Sequence, residues 1–256
     1  MPMKQTAYST RDIAAAVGVH VNTVRFYEEI GFITKPERRP NGYRVYTRLQ
    51  LEQCRVVRRA MRAEVLQNGL RQKAVEIVRL CAALDFDGAC AAALEYRDML
   101  DAEIVRARQA ADTVQNALGQ SAREEPLRLN RREAAERLGV TGETLRTWER
   151  SGLLTVRRRE NGYRVYDAAD MARLNIIRTL RCANYSLAAI LRLLNRLEQS
   201  GVGSVETVLD TPDDEEDVLS ACDRLIASLT ATRADADALR GMIEALEKET
   251  SFSTLQ

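Results

Sequence analysis

The hexapeptide Asn41-Gly42-Tyr43-Arg44-Val45-Tyr46 recurs letter for letter at residues 161–166. Upstream of it, residues 11–34 align with residues 132–155 at an offset of 121, whereas the hexapeptides are offset by 120. The loop between the two aligned stretches is therefore one residue shorter in the second copy. A repeated string inside an aligned register indicates an internal duplication, so each copy predicts the structure of the other.

Each copy carries the local signals of a helix-turn-helix, two helices joined by a short turn. Ser9 and Asn130 each begin a capping-box sequence, which predicts the start of a first helix. Gly18 and Gly139 then stand where a helix end favours a left-handed backbone. A second helix is predicted at residues 21–30 in copy one and at residues 142–151 in copy two. This order of elements is typical of a helix-turn-helix.

The hexapeptide predicts a β-hairpin, the wing, because Asn-Gly flanked by β-forming residues favours a two-residue hairpin turn. After the wing, Thr47 and Asp167 are predicted to cap a third helix in their respective copies. A fourth helix is predicted at about residues 71–84 and 187–197. Each copy therefore has the elements of a winged helix-turn-helix followed by two more helices.

Each copy ends in a long helix whose inward-facing residues recur at three- and four-residue spacing. This spacing favours coiled-coil packing, and the alternative is a single amphipathic helix lying on a globular core. The predicted row of copy one is Ala93, Arg97, Leu100, Ile104, Ala107, Ala111, Val114 and Leu118. The row of copy two, in a helix predicted to begin at Thr211, is Val218, Cys222, Leu225, Leu229, Thr232, Ala236, Leu239, Ile243 and Leu246.

Charge is distributed unevenly along the chain. Residues 4–62 carry 12 Lys and Arg against 5 Asp and Glu, and residues 127–182 carry 13 against 7. The net charge of the whole chain is nevertheless only +1. Two basic segments in an otherwise acidic chain indicate two surfaces that face a polyanion, although either one alone would be read as a solvated charged face.

Cysteine and histidine usage excludes several kinds of site. The 5 cysteines are odd in number, and with no secretory signal or membrane-spanning run a reducing cytoplasm is expected. His20 is the 1 histidine, which excludes a multi-histidine metal site. For His20 itself, DNA contact or a helix cap is expected. We therefore expect no enzymatic activity and no cofactor.

Residues 8–46 and 127–166 resemble the DNA-binding domain of the MerR (mercury-resistance regulator) family. The matching strings of copy one are NTVRFYE at 22–28, GFI at 31–33 and the hexapeptide. Those of copy two are ETLRTWE at 143–149, GLL at 152–154 and the repeated hexapeptide. Family members usually carry Tyr-Tyr after the helix arginine, and copy two departs from that pattern with Thr147-Trp148. With the later helices, the similarity covers nearly the whole chain, twice.

The resemblance implies that the second helix of each copy enters the major groove while the wing contacts the adjacent backbone. Side chains at the start of that helix can reach base edges, and arginines and tyrosines nearby can reach phosphates. The two copies differ at the base-reading positions, so different half-sites are expected. The candidate DNA-binding residues of copy one are His20, Asn22, Thr23, Arg25, Tyr27, Arg38, Arg39, Tyr43 and Arg44. Those of copy two are Thr141, Glu143, Thr144, Arg146, Trp148, Arg158, Arg159, Tyr163 and Arg164.

The expected fold is mainly α, with two winged helix-turn-helix domains that are each followed by a long coiled-coil helix. Family members usually form homodimers through an antiparallel pair of long helices. Because both copies are on one chain, we expect that pair to form within the chain, giving a monomeric pseudo-dimer rather than a homodimer. The expected boundaries are 1–84 for the first domain, 85–120 for the first long helix, 121–126 for a linker, 127–200 for the second domain and 201–256 for the second long helix.

The resemblance also implies a transcription regulator that distorts a promoter spacer, with double-stranded promoter DNA and RNA polymerase as partners. Two alternatives stay open: a drug-sequestering helical protein on the same scaffold, and an architectural, excisionase-like protein that bends DNA.

The effector is the least determined part of this interpretation. Metal-sensing relatives place cysteines beyond the long helix, whereas Cys81 and Cys90 are expected to lie before it. An unremarkable thiol pair is therefore favoured over a metal or redox site. A small-molecule effector, if one exists, is expected between the heads and the long helices.

Overall fold

A computed structural model of the chain describes residues 7–62, 69–118, 127–157, 163–199, 203–212 and 221–254. Copy one forms α1 Thr10–Val17, α2 Val21–Glu29, β1 Glu37–Arg38, β2 Arg44–Val45, α3 Arg48–Ala60, α4 Leu70–Ala82 and α5 Phe86–Leu118. Copy two forms α6 Arg131–Leu138, α7 Gly142–Arg150, α8 Ala168–Cys182, α9 Leu187–Gln199, α10 Val205–Asp210, a 3-10 turn Ala221–Arg224 and α11 Leu225–Thr254. The mainly α fold class is confirmed. Among these described helices, none has the length and apolar character needed to cross a bilayer.

Head 1 (residues 8–82) and head 2 (residues 129–199) are built around the same internal positions. Side chains at aligned positions are fully buried in both heads, because the same helix and strand faces turn inward in each copy. The aligned and fully buried pairs are Val24 with Leu145, Tyr46 with Tyr166, and Cys54 with Leu174. The duplication read from the sequence therefore extends to the cores.

The predicted helix ends of the two heads are confirmed. Ser9 and Asn130 cap α1 and α6 through complete capping boxes. Gly18 and Gly139 end the same helices at a φ of +65° each, which glycine adopts without the steric cost that a Cβ would add. In each head a short backbone bridge also ties the segment before the first helix to the wing, Tyr8 to Tyr46 and Leu129 to Tyr166.

The wing of head 1 (wing 1, residues 37–45) has a different turn from the predicted two-residue Asn-Gly turn. The Arg39 amide donates to the Tyr43 carbonyl at 2.9 Å, and the Gly42 amide donates to the Arg39 carbonyl at 2.8 Å. The loop therefore contains three residues and ends in Gly42 at a φ of +81°. Pro40 explains the difference, since its fixed φ suits the second position of a type I turn, which a left-handed glycine then closes.

The second long helix begins later than predicted. The segment assigned to it, 201–256, opens with the short helix α10, whose C-cap is Thr211, the residue predicted as an N-cap. The long helix α11 starts only at Leu225, where the Asp210 carboxylate accepts hydrogen bonds from the amides of Ile226 (2.9 Å) and Ala227 (3.1 Å). Of the predicted row, Val218 and the Cys222 side chain lie outside the described residues.

The inward-facing row of α5 is confirmed except at two places. Tyr96 is buried in the position predicted for Arg97, whose side chain is partly exposed, because a charged guanidinium is costly to bury without a partner. Leu118, the last residue of the helix, is exposed. Cys90 lies within α5 rather than before it, since the helix begins at Phe86.

The chain divides into two compact units, and each unit contains residues from both copies. Unit 1 comprises residues 1–102 and 229–256, and unit 2 comprises residues 103–228. Head 1 therefore shares a unit with most of α11, which belongs to copy two. Head 2 shares a unit with the second half of α5, which belongs to copy one. The predicted division into consecutive domains stays a prediction.

Candidate nucleic-acid interface

The second helix of head 1, α2, exposes a polar face at its start. His20 is its N-cap, with Nδ1 accepting a hydrogen bond from the Asn22 amide at 3.2 Å, so the cap expected for this histidine is present. Asn22 and Arg25 are exposed one turn apart, and the Arg25 guanidinium donates to the Asn22 side-chain oxygen at 3.5 Å. Thr23 is half-buried beside them. An amide at a helix start can donate to and accept from base edges, and a guanidinium there can donate to base edges and to phosphate oxygens.

The second helix of head 2, α7, exposes a different set of groups. Thr141 caps it by accepting a hydrogen bond from the Thr144 amide at 3.1 Å. The Glu143 carboxylate pairs with Arg146 at 3.1 Å and with Arg150 at 2.6 Å, and all three side chains are more than half exposed. A carboxylate therefore stands where head 1 has an amide, between two guanidinium groups.

The two aromatic residues predicted to contact DNA from these helices are mostly buried. Tyr27 is 8 % exposed and Trp148 is 5 % exposed, and burial raises the pKa of the Tyr27 hydroxyl. Their predicted DNA contact stays a prediction, confined to the edge of each ring that remains accessible. The outward-facing neighbours are Phe26, at 52 % exposure, and Thr147. Phe26 was not among the residues predicted from the sequence. Successive side chains on a helix point in different directions, so a buried Tyr27 indicates that Phe26 faces outward.

Arg44 and Arg164, both predicted to contact DNA, link the wing to the second helix in each head. The Arg44 Nε lies 2.5 Å from Glu28 Oε2, and the Arg164 Nε lies 2.5 Å from Glu149 Oε2. Both glutamate side chains are about nine-tenths buried, so each ion pair joins the wing to α2 or α7 with little solvent screening. The glutamates occupy aligned positions in the repeat, which is the signal that identifies them from the sequence.

The carboxylates of the two heads differ in their remaining partners. Glu149 also accepts a hydrogen bond from the Tyr166 hydroxyl at 2.6 Å, and burial together with this bond raises the pKa of Tyr166 to about 12. The aligned Tyr46 hydroxyl is buried with no hydrogen-bond partner among the described residues. Glu28 has instead a longer contact with Arg38, at 3.6 Å. Head 2 therefore has the more extensive polar network under its wing.

Each wing segment carries an exposed aromatic side chain. Tyr43 is 72 % exposed and Tyr163 is 73 % exposed, at aligned positions. Arg38 and Arg39 are exposed within wing 1. Their predicted counterparts Arg158 and Arg159 lie outside the described residues. Exposed arginines and a tyrosine hydroxyl on a protruding hairpin suit contacts with a phosphate backbone.

The cysteine pair offers little for metal binding as it stands. Burial raises the pKa of Cys81 to about 12 and also raises the pKa of the half-buried Cys90, which disfavours the thiolate that binds metals. No group of three or more His, Cys, Asp or Glu side chains suited to a metal ion occurs within the part of the chain that the structure describes. Elsewhere in unit 1, a cavity of about 370 Å³ lies between α3 and α11, lined mainly by Arg55, Arg58, Arg59, Arg62 and Met242.

Comparison with known proteins matches both copies to one family. A family model described as MerR HTH family regulatory protein matches residues 130–197, and one described as MerR family regulatory protein matches residues 9–46. The HTH-type transcriptional regulator HmrR of Rhizobium leguminosarum bv. viciae is 33 % identical over 105 residues, which are 41 % of this chain and 78 % of HmrR.

Two further relatives match shorter stretches. The mercuric resistance operon regulatory protein of Bacillus cereus is 30 % identical over 95 residues, 37 % of this chain and 63 % of that protein. The HTH-type transcriptional regulator CueR of Escherichia coli O157:H7 is 43 % identical over 49 residues, 19 % of this chain. The matched stretch spans only 36 % of the length of CueR. No solved structure matches the chain.

Proposed function

This chain belongs to the MerR family, and we propose that it is a sequence-specific DNA-binding transcription regulator whose two non-identical heads bind and distort a promoter spacer. The observation that carries the proposal is the recurrence, in both heads, of a capped second helix linked to a wing through a buried glutamate. Such a link keeps the helix and the wing in one geometry, which binding to a groove and its flanking backbone requires. The names of the relatives, all transcriptional regulators or an operon regulator, support the same function.

We further propose that the chain acts as a monomeric pseudo-dimer, with its long helices paired antiparallel. Within unit 1, Arg233 of α11 lies 2.6 Å from Asp101 of α5, and Arg59 of head 1 lies 3.2 Å from Asp235 of α11. These pairs join residues of copy one to residues of copy two inside one compact unit. The helix α5, with 33 residues, spans about 50 Å.

The same logic applies in unit 2. The Tyr185 hydroxyl of head 2 donates to the Ala107 carbonyl of α5 at 3.2 Å, and the Val205 amide donates to the Gln115 side chain at 2.9 Å.

Light scattering at low concentration should give a mass near 28.8 kDa for the pseudo-dimer. A mass of twice that value at every concentration would show that the helices pair between chains.

In the proposed mechanism, the protein bends or untwists promoter DNA. Two heads that bind two half-sites can bend or untwist the spacer between them, and the deformation energy then depends on spacer sequence. RNA polymerase, the partner implied by the family, would then meet promoter elements brought into register.

Selection of bound fragments from fragmented genomic DNA, followed by footprinting, tests this function. Two dissimilar half-sites at a fixed spacing, lying between promoter elements, are the expected result. Circularly permuted fragments carrying the site should migrate anomalously in a gel when the protein bends them. Protection of a single half-site would contradict the two-headed mechanism, and no enrichment at all would contradict the function.

A further inference from the structure

One aligned position on the second helix carries an amide in head 1 and a carboxylate in head 2. Asn22 and Glu143 are both the second residue of their helix, both two residues beyond the N-cap and both exposed. They are aligned in the duplication, so each occupies the same place relative to its own capped helix start. In a helix-turn-helix, residues at this end of the second helix contact base edges.

We propose that this position makes the two half-sites different, with Asn22 reading adenine and Glu143 reading cytosine. The inference rests on the proposed function, in which both helices enter major grooves. A side-chain amide both donates and accepts, and so matches the N7 acceptor and N6 donor of adenine. A carboxylate only accepts, and so matches the N4 amino group of cytosine.

The same chemistry disfavours the other bases opposite Glu143. Guanine presents two acceptors in the major groove and thymine presents an acceptor, so a carboxylate meets like partial charge at either base. Adenine offers an amino group, but its N7 lone pair lies beside that donor. Cytosine is therefore the base that a carboxylate distinguishes from the other three.

The surroundings of Glu143 explain how a carboxylate is tolerated on a surface that faces phosphates. Its two oxygens are paired with Arg146 and Arg150, and the three exposed groups together carry a net charge of +1. Each guanidinium has five N–H donors, so it can contact a phosphate while it remains beside the carboxylate. The pairs also restrict the orientation of the carboxylate at the start of the helix.

Head 1 lacks this arrangement. The residue aligned with Arg150 is Glu29, which is exposed, so Arg25 is the single cation on this face of α2. The contact between Arg25 and the Asn22 oxygen is long, at 3.5 Å, and leaves the amide free to turn toward a base. A carboxylate placed at residue 22 would thus have one guanidinium beside it and a second carboxylate, Glu29, about two turns away.

Selection from random DNA with the full chain tests the assignment, by comparing the wild type with reciprocal variants. The readout is the base frequency at each position, or column, of the aligned selected sequences. E143N should change the cytosine column of one half-site to adenine and leave the other half-site unchanged. N22E/E29R places the Glu-Arg-Arg set in head 1, and should change the adenine column of the other half-site to cytosine. N22E without E29R should lose affinity for that half-site, because the second guanidinium is missing.

Direct binding measurements give the size of the effect. Replacing the assigned base should weaken wild-type binding roughly 5- to 160-fold, the range for one good side-chain contact to a base, and the matching variant should recover the loss. E136N removes an exposed carboxylate from α6 and should change no base preference at any position. Melting temperatures of all variants establish that each one is folded.

The outcomes separate this inference from the function on which it rests. Wild-type protein that enriches two half-sites, with columns that E143N and N22E/E29R leave unchanged, would overturn the assignment and leave the regulator intact. Wild-type protein that enriches no sequence would overturn the proposed function itself. Exchanged columns in the reciprocal variants would establish both.

Discussion

Head 1 and head 2 share their interiors and differ on the surface that faces outward from the second helix. The core positions and the glutamate–arginine link to the wing recur, while Asn22, Phe26 and Glu29 are matched by Glu143, Thr147 and Arg150. A buried position must fit its neighbours to within a methylene group, whereas an exposed one costs little stability to change. The comparison teaches that one scaffold keeps its packing while its surface chemistry diverges.

The largest expected effect comes from the shared cores. Leu145→Ala should lower the free energy of unfolding of head 2 by about 2–5 kcal/mol, because a fully buried side chain leaves a cavity. Trp148, the 1 tryptophan of the chain and 95 % buried, reports on head 2 by its fluorescence. The aligned Val24→Ala should shift the circular dichroism transition and leave the Trp148 transition in place, because the two residues lie in different compact units. Equal shifts of Trp148 in both variants would mean that the heads unfold as one.

The next largest effect is on stability and differs between the two glutamates that join the second helix to the wing. Glu149→Gln should cost about 1–3 kcal/mol in chemical denaturation, since a buried acceptor of two hydrogen bonds loses its charge. Glu28→Gln should cost less, because no tyrosine hydroxyl depends on Glu28. Glu143→Gln, which alters an exposed side chain, should change stability by less than about 0.5 kcal/mol. A larger loss for Glu28→Gln than for Glu149→Gln would contradict the ranking.

Alkaline pH should lower the stability of head 2 through its buried Tyr166. The pKa of Tyr166 in the folded chain is about 12, above the value near 10 of an unfolded tyrosine, so the native state retains a proton that the unfolded state loses. The stabilisation is complete below pH 10 and falls by about 1.4 kcal/mol per pH unit as the pH rises toward 12. Tyr166→Phe should remove this part of the pH dependence, measured by denaturation at pH 9 and pH 11.

Tyr46→Phe is the matched variant at neutral pH. The Tyr46 hydroxyl is buried without a partner among the described residues, so its removal should leave stability unchanged or raise it slightly. Tyr166→Phe at the same pH should destabilise the chain, because its hydroxyl loses the bond to Glu149. Equal effects of the two substitutions would show that the polar networks of the heads are equivalent.

The smallest effect concerns DNA affinity rather than stability. Arg25→Ala or Arg146→Ala should weaken binding to all sequences and lower the slope of log affinity against log salt by about 0.9 for each lost phosphate contact. Arg146→Ala should lower it less, because Arg150 remains nearby and Glu143 already offsets part of the charge. Arg240→Ala on α11 serves as the control and should leave the slope unchanged. An unchanged slope for either test variant would mean that its head does not contact phosphates.

The starts and ends of the first helix in each head, and the duplication, were predictable from the sequence, because each depends on residues a few positions apart. The capping boxes at Ser9 and Asn130 illustrate this, since donor and acceptor lie three residues apart. The type of turn in wing 1 is also set locally, because Pro40 belongs to the turn and makes it a three-residue loop.

Burial on the second helices was harder to predict. The sequence pattern placed Tyr27 and Trp148 on the DNA side, whereas Phe26 and Thr147 face outward. Adjacent residues on a helix point about 100° apart, so the phase of the buried face depends on the elements that pack against it. Composition alone does not set that phase.

By itself the sequence determined two copies of a winged helix-turn-helix with long helices, the capped helix starts, the basic segments and the residues that differ between the copies. Tertiary structure alone decided that Arg44 and Arg164 pair with glutamates of the second helix, that Asp210 caps α11, and that each compact unit draws on both copies. The physical reason is distance along the chain. A cap or a periodic row is encoded within a few residues, whereas Arg59 meets Asp235 only after the helices between them have folded and brought distant segments together.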